Sequence, residues 1–135
     1  MKLIIGGCAQ GKRAYALEKF QIREERVWDG VLPEEAVWDS APAENAAPDP
    51  VIIDHFHRWV RNRMLEGGCP EQEMEAFLNR CPDCIVISDE IGNGIVPVEP
   101  FEREYRERVG RLVIQLARKA EEVERVICGI GQKIR

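Results

Sequence analysis

The sequence is short of histidine, of net positive charge and of long apolar runs, and each shortage narrows what the chain can do. Nineteen basic residues against 24 acidic ones leave a formal charge of −5. That excludes a broad electrostatic surface for nucleic acid, while a local anion pocket stays compatible with it. No apolar run approaches the roughly 20 residues that span a bilayer, and the N-terminus has no signal-peptide stretch. A cytoplasmic chain without a membrane span is the expectation. The five cysteines, an odd number, argue against a disulfide framework in a reducing compartment. Cys81-Pro82-Asp83-Cys84 has CxxC spacing but no second pair; His55, His57 and Cys69 are further ligands in principle, but a turn with two free thiols is the reading. What is present is ordinary for a globular domain: 135 residues, 44% hydrophobic and 32% charged. One domain over residues 1–135 is expected.

Short apolar segments alternate with helical patterns along the chain. Met1–Ile5 is a buried strand ended by Gly6-Gly7, and a helical pattern starts at Lys12. Glu25–Trp28 reads as a second strand closed by Asp29-Gly30. Residues 32–50 turn to Pro, Ala, Glu and Asp, and Pro42, Pro48 and Pro50 prevent a continuous helix or central strand there, so an exposed loop is expected. Val51–Asp54 and Cys84–Ser88 are strands that end in acids, Asp54 and Asp89-Glu90. Helices are expected from Phe56 to Leu65, from Pro70 to Arg80 and from Pro100 to about Glu122. The last carries a stripe of Phe101, Tyr105, Val109, Leu112 and Leu116. Arg125–Cys128 is the last strand expected. Strands separated by helices predict βα units and a parallel sheet covered on both faces. Ligands of such sheets bind beyond the carboxyl ends of the strands.

The first strand end carries the strongest local motif. Gly6, Gly7, Cys8, Ala9, Gln10, Gly11, Lys12 and Arg13 read as GxxxxGK followed by Arg, between a strand and a helix. The glycines let backbone N–H groups wrap an anion, the helix adds the positive end of its dipole, and Lys12 places an ammonium between phosphates. The expected fold is therefore α/β, P-loop NTPase-like (RecA-like), a mostly parallel sheet with helices on both faces. Residues 6–13 are expected to bind nucleotide. A loop of this kind normally ends in Ser or Thr, whose hydroxyl ligates Mg²⁺. Arg13 has no acceptor atom. That leaves three outcomes: Mg²⁺ held by phosphates, water and an acid elsewhere; Arg13 itself on phosphate; or weak binding with turnover lost. Asp54 is the natural strand-end acid for a magnesium-bound water, with Asp89 and Glu90 as further candidates; a helix cap is the competing role for any of them.

The carboxyl-terminal half resembles a known family. Asp89-Glu90-Ile91-Gly92-Asn93-Gly94-Ile95-Val96-Pro97 is similar to the NEVGxGIVP signature of adenosylcobinamide kinase/adenosylcobinamide-phosphate guanylyltransferases. Tyr105-Arg106-Glu107 with Gly110-Arg111, the end Gly129-Ile130-Gly131-Gln132-Lys133, the glycine loop, and Asp54 with Trp59 and Asn62 resemble further segments in the family's order. The resemblance implies phosphorylation of the cobinamide hydroxyl with ATP or GTP and Mg²⁺, followed by guanylyl transfer through a histidine. It implies that Gly6, Gly7, Gly11 and Lys12 hold the triphosphate. Asp54 and Glu90 would serve metal or acid–base roles, making Lys12, Asp54 and Glu90 the catalytic candidates, and the expected partners are a nucleoside triphosphate and a cobinamide-type small molecule. Self-association into a homo-oligomer is left open.

Three departures bear on that chemistry. Arg13 replaces the hydroxyl residue, Val113-Ile114 stand where the family carries Asn-Gln, and no histidine lies between Gly30 and Pro50, where the family's guanylyl-accepting residue belongs. His55 and His57, the only two histidines, lie just after Asp54 instead. The primary expectation is a kinase that keeps the nucleotide core without the guanylyl step. The alternatives are a catalytically impaired nucleotide- or corrinoid-binding relative with a regulatory or partner role, and a kinase for another small hydroxyl substrate.

Overall fold

A computed structural model describes residues 1–34 and 50–135. The chain runs β1 (Lys2–Gly6), α1 (Lys12–Phe20), a 3₁₀ turn (Glu24–Arg26), β2 (Val27–Asp29), β3 (Ile52–Asp54), α2 (Phe56–Leu65), α3 (Pro70–Arg80), β4 (Ile85–Asp89), α4 (Pro100–Lys119), β5 (Glu122–Ile127) and β6 (Ile130–Lys133). These strands make one sheet in the order β2-β3-β4-β1-β5-β6, and β1 pairs in parallel with both β4 and β5. Only β6 runs antiparallel. This is the α/β, P-loop NTPase-like arrangement expected. Residues 35–49, which make up most of the expected Pro/Ala-rich loop, lie outside the described residues.

The period-2 geometry of the strands sorts their side chains into two cores. Leu3, Ile53, Val86 and Val123 face the layer of α2, α3 and α4, packing with Phe56, Trp59, Val60, Met74, Phe77, Tyr105, Val109, Leu112 and Leu116. Ile4, Ile52, Ile85, Ile87 and Val126 face α1 through Ala16, with Leu17 and Phe20 at the margin. Helices therefore cover both faces. Ile52, Ile53, Ile85 and Ile87 are buried to within 1% of full coverage, each such side chain contributing about 1.5–3 kcal/mol of burial free energy. The runs are apolar on consecutive residues because both faces of these strands are covered.

Pro70 and Pro100 open α3 and α4 at the first turn, where a missing N–H costs nothing. Every strand differs from its expected range by at least one residue at one end or both. Residues 24–26 form a 3₁₀ turn, so β2 begins at Val27. The strand β4 includes Asp89. The helix α4 stops at Lys119, and β5 starts at Glu122, because Ala120 turns to extended backbone and packs against the core. The strand β6 was not expected at all. Cys128 and Gly129 both take positive φ, 51° and 76°, and form a two-residue hairpin that pairs Ile127 with Ile130.

Candidate functional site

The parallel strands end together beside the loop that follows β1. Gly6 is the last residue of β1 and has no room for a side chain, since a Cβ there would lie 2.5 Å from the Val126 carbonyl oxygen. The loop passes through positive φ at Ala9 (54°) and Gly11 (82°) before α1 starts at Lys12. It is braced from the β5–β6 turn: Gly129 N–H donates to the Gln10 carbonyl at 2.8 Å, and Cys128 N–H donates to Gln10 Oε1 at 2.7 Å. Cys8, Ala9, Gln10, Gly11, Lys12 and Arg13 line a cleft of about 400 Å³, joined by Glu24, Asp54, His55 and Asp89.

Lys12 folds back within this cleft. Its ammonium donates to the Gly7 carbonyl at 2.6 Å and pairs with Asp89 Oδ1, also at 2.6 Å. Adjacent Glu90 is engaged elsewhere, paired with Arg125 of β5 at 3.0 Å, while its N–H donates to the Gly6 carbonyl. Of the two acids at this strand end, Asp89 is thus the one at the lysine. Asp89 also meets α2: its N–H donates to His57 Nδ1 at 3.2 Å, and its Oδ2 lies 3.5 Å from His57 Nε2. That acceptance requires a neutral ring with its hydrogen on Nε2. Burial of His57 supplies the reason for neutrality, lowering its pKa to about 4 against the opposing pull of Asp89. Tyr105 of α4 completes the contact, donating to the His57 carbonyl at 2.9 Å, and burial raises its own pKa to about 12.

A second cluster forms at the neighbouring strand ends. The β2–β3 register sets Asp29 opposite Asp54. His55 follows in a left-handed conformation (φ 50°, ψ 45°) as the N-cap of α2, which costs about 1–3 kcal/mol for a non-glycine residue. The turn lets its N–H donate to Asp54 Oδ1 at 2.8 Å and its ring Nδ1–H donate to Asp29 Oδ1 at 2.5 Å. Arg13 closes the cluster from the loop. Its Nη2 pairs with Glu24 at 2.5 Å, and its Nη1 lies 3.7 Å from Asp29 Oδ2 and 3.9 Å from Asp54 Oδ2. The hydrogen bond to Glu24 and the two aspartates hold its pKa above the ordinary arginine value.

Ligand atoms of Asp29, Asp54 and His55 converge within 4.8 Å of one another, a spacing that suits a cation. The Mg²⁺ of an ordinary phosphate loop nevertheless does not fit these residues. The hydroxyl that would ligate it is replaced by a group with no lone pair, and that group already stands beside both aspartates.

All the residues expected to bind nucleotide, 6–13, lie at this strand end, with Lys12 and Asp54 lining the cleft. Glu90 is held at its edge by Arg125. Sequence reasoning did not single out Glu24 and Asp29 as neighbours of the loop. The signal for Asp29 was its place at a strand end in register with Asp54, which requires knowing that β2 and β3 are adjacent; Glu24 gave none. Among the described residues, no helix is long and apolar enough to cross a membrane.

Comparison with known proteins adds an independent line. The model of a family described as cobinamide kinase / cobinamide phosphate guanyltransferase matches residues 17–134, a span that begins after the glycine loop. The chain is 43% identical over 65 residues to the bifunctional adenosylcobalamin biosynthesis protein CobU of Escherichia coli (strain K12), covering 47% of this chain and 36% of that protein. It is 34% identical over 112 residues to the protein of the same name from Salmonella typhimurium (strain LT2), covering 69% of this chain and 62% of the relative. The matches therefore span less than two thirds of either relative. A family match over most of the chain, on the fold expected from its sequence, leads to one conclusion: the chain belongs to the cobinamide kinase / cobinamide phosphate guanyltransferase family.

Proposed function

We propose that the chain is a phosphotransferase that binds a nucleoside triphosphate at residues 6–13 and transfers its terminal phosphoryl group to the hydroxyl of a cobinamide. The observation that carries this is the buried Lys12 ammonium, held between the Gly7 carbonyl and Asp89 inside the glycine-loop cleft. Such an ammonium exchanges one carboxylate partner for phosphate oxygens when nucleotide enters. Family membership supports the acceptor, and the nucleotide is GTP or ATP.

Transfer of this kind is mostly positioning and charge stabilisation. The substrate oxygen attacks the γ-phosphorus, the bond to the β–γ bridging oxygen breaks, and the nucleoside diphosphate leaves with the electron pair. Lys12 and the loop N–H groups stabilise the charge that builds on the phosphoryl oxygens. Asp54 and Asp89 are the acids lining the cleft, and one of them orients the attacking hydroxyl and accepts its proton. Glu90 enters this chemistry only on release from Arg125. No step is assigned to a metal ion.

The test is direct. Full-length protein incubated with adenosylcobinamide and γ-labelled GTP or ATP should yield labelled cobinamide phosphate, and Lys12→Ala should abolish it. Nucleotide binding with no labelled product would favour the impaired, partner-type relative instead. That second reading rests on Arg13 at the hydroxyl position and on a histidine-free segment from 31 to 49.

A further inference from the structure

We infer that Arg13 is the resident cation of this nucleotide site, so that nucleoside triphosphate binds without a divalent ion. The inference rests on the phosphate-loop reading above and concerns what neutralises the phosphates there.

The two aspartates are engaged in a consistent pattern. Each gives its Oδ1 to His55, Asp54 to the backbone N–H and Asp29 to the ring Nδ1–H. Each presents its Oδ2 to the same guanidinium nitrogen, Arg13 Nη1, at 3.7 and 3.9 Å. Hard divalent cations sit about 2.0–2.6 Å from carboxylate oxygens. An ion shared by these two Oδ2 atoms would therefore crowd Nη1, adding cation–cation repulsion where the residues now form attractive pairs. Occupancy by Arg13 and by a divalent ion are mutually exclusive unless the arginine leaves.

Arg13 is also well placed for phosphate. It adjoins Lys12 in the first turn of α1 and lines the same cleft. Its closest partner, Glu24, is 64% exposed and the easiest to exchange for a phosphate oxygen. A guanidinium offers five N–H donors in a planar fork that matches phosphate geometry. The aspartates would keep Nη1 in place while Nη2 turns from Glu24 to the nucleotide. Arg13 is in this account a binding residue that replaces the hydroxyl-held ion, and the left-handed His55 is the strut that keeps both aspartates turned toward it.

Calorimetric titration of full-length protein with GTP, and separately with ATP, in excess EDTA and in excess Mg²⁺ tests this. Wild-type affinities in the two conditions should agree within about threefold. Arg13→Ser should lose about tenfold or more in EDTA and recover with Mg²⁺. Mn²⁺ added to nucleotide-free protein and followed by electron paramagnetic resonance should bind Arg13→Ser but not wild type. A wild-type affinity that collapses in EDTA, or Mn²⁺ uptake by the wild-type chain, overturns the inference while leaving the phosphate-loop reading intact. Absence of nucleotide binding in both conditions overturns the two together.

Discussion

His57 links the fold to the cleft, and its titration has a consequence for stability. In the folded chain it is neutral because it is buried against β4 and accepts the Asp89 N–H, and its pKa falls from 6.5 to about 4. The unfolded chain keeps the ordinary value of about 6.5. Between these values the unfolded state binds a proton that the folded state refuses. Stability from this group is therefore complete above pH about 6.5, falls as pH drops through the window, and levels off below about 4. The interval, taken at about 1.4 kcal/mol per pH unit, amounts to about 3 kcal/mol. Urea unfolding from pH about 7.5 down to about 4, on wild type and His57→Gln, isolates the contribution. Glu71, which its hydrogen bond to Arg108 holds at about 2, titrates below this window and is common to both proteins. Wild type should lose about 3 kcal/mol more than His57→Gln over that range. Parallel stability curves would refute the neutral-histidine account of the α2–β4 contact.

Further outcomes follow from single contacts. Gly6→Ala pushes a methyl against the Val126 carbonyl, which a Cβ would approach to 2.5 Å. It should cost about 1–3 kcal/mol in chemical denaturation and weaken nucleotide binding with it. Tyr105→Phe removes the bond to the buried His57 carbonyl, and a loss of about 1 kcal/mol in urea midpoint analysis is expected. Ile87→Ala empties a fully buried position beneath α1; calorimetry should report a loss of about 2–5 kcal/mol, far above any exposed Ile95 substitution.

Much of this architecture was legible from residue patterns, and its gaps have physical causes. The β1–loop–α1 unit could be read because glycine, apolar periodicity and lysine all act locally. So could α2 and α3, whose ends carry local stop signals: Gly67-Gly68 after one, and Pro70 at the start of the other. The strand β6 escaped because its turn is Cys128-Gly129, without the Asn or Asp that usually marks a type I′ hairpin. The resemblance pointed to Glu90, but residue pattern alone does not show which of Asp89 and Glu90 faces the lysine. Adjacent residues at a strand end point to opposite sides, and only the packed sheet shows which side holds Lys12 and which holds Arg125. Glu24 and Asp29 join the site through strand adjacency and the reach of Arg13, which depend on tertiary placement. The two histidines, which the sequence only places just after Asp54, divide into a buried contact at β4 and a left-handed cap holding two acids.

The central claim is that this strand end recognises a nucleotide by its phosphates through Lys12 and the glycine loop. Equilibrium titration with GTP, GDP, GMP and guanosine measures it most directly. The account predicts affinity that falls stepwise as phosphates are removed, and a Lys12→Ala variant whose preference for GTP over GDP is sharply reduced. Guanosine binding as tightly as GTP, or a Lys12→Ala chain that retains the full GTP preference, would contradict it.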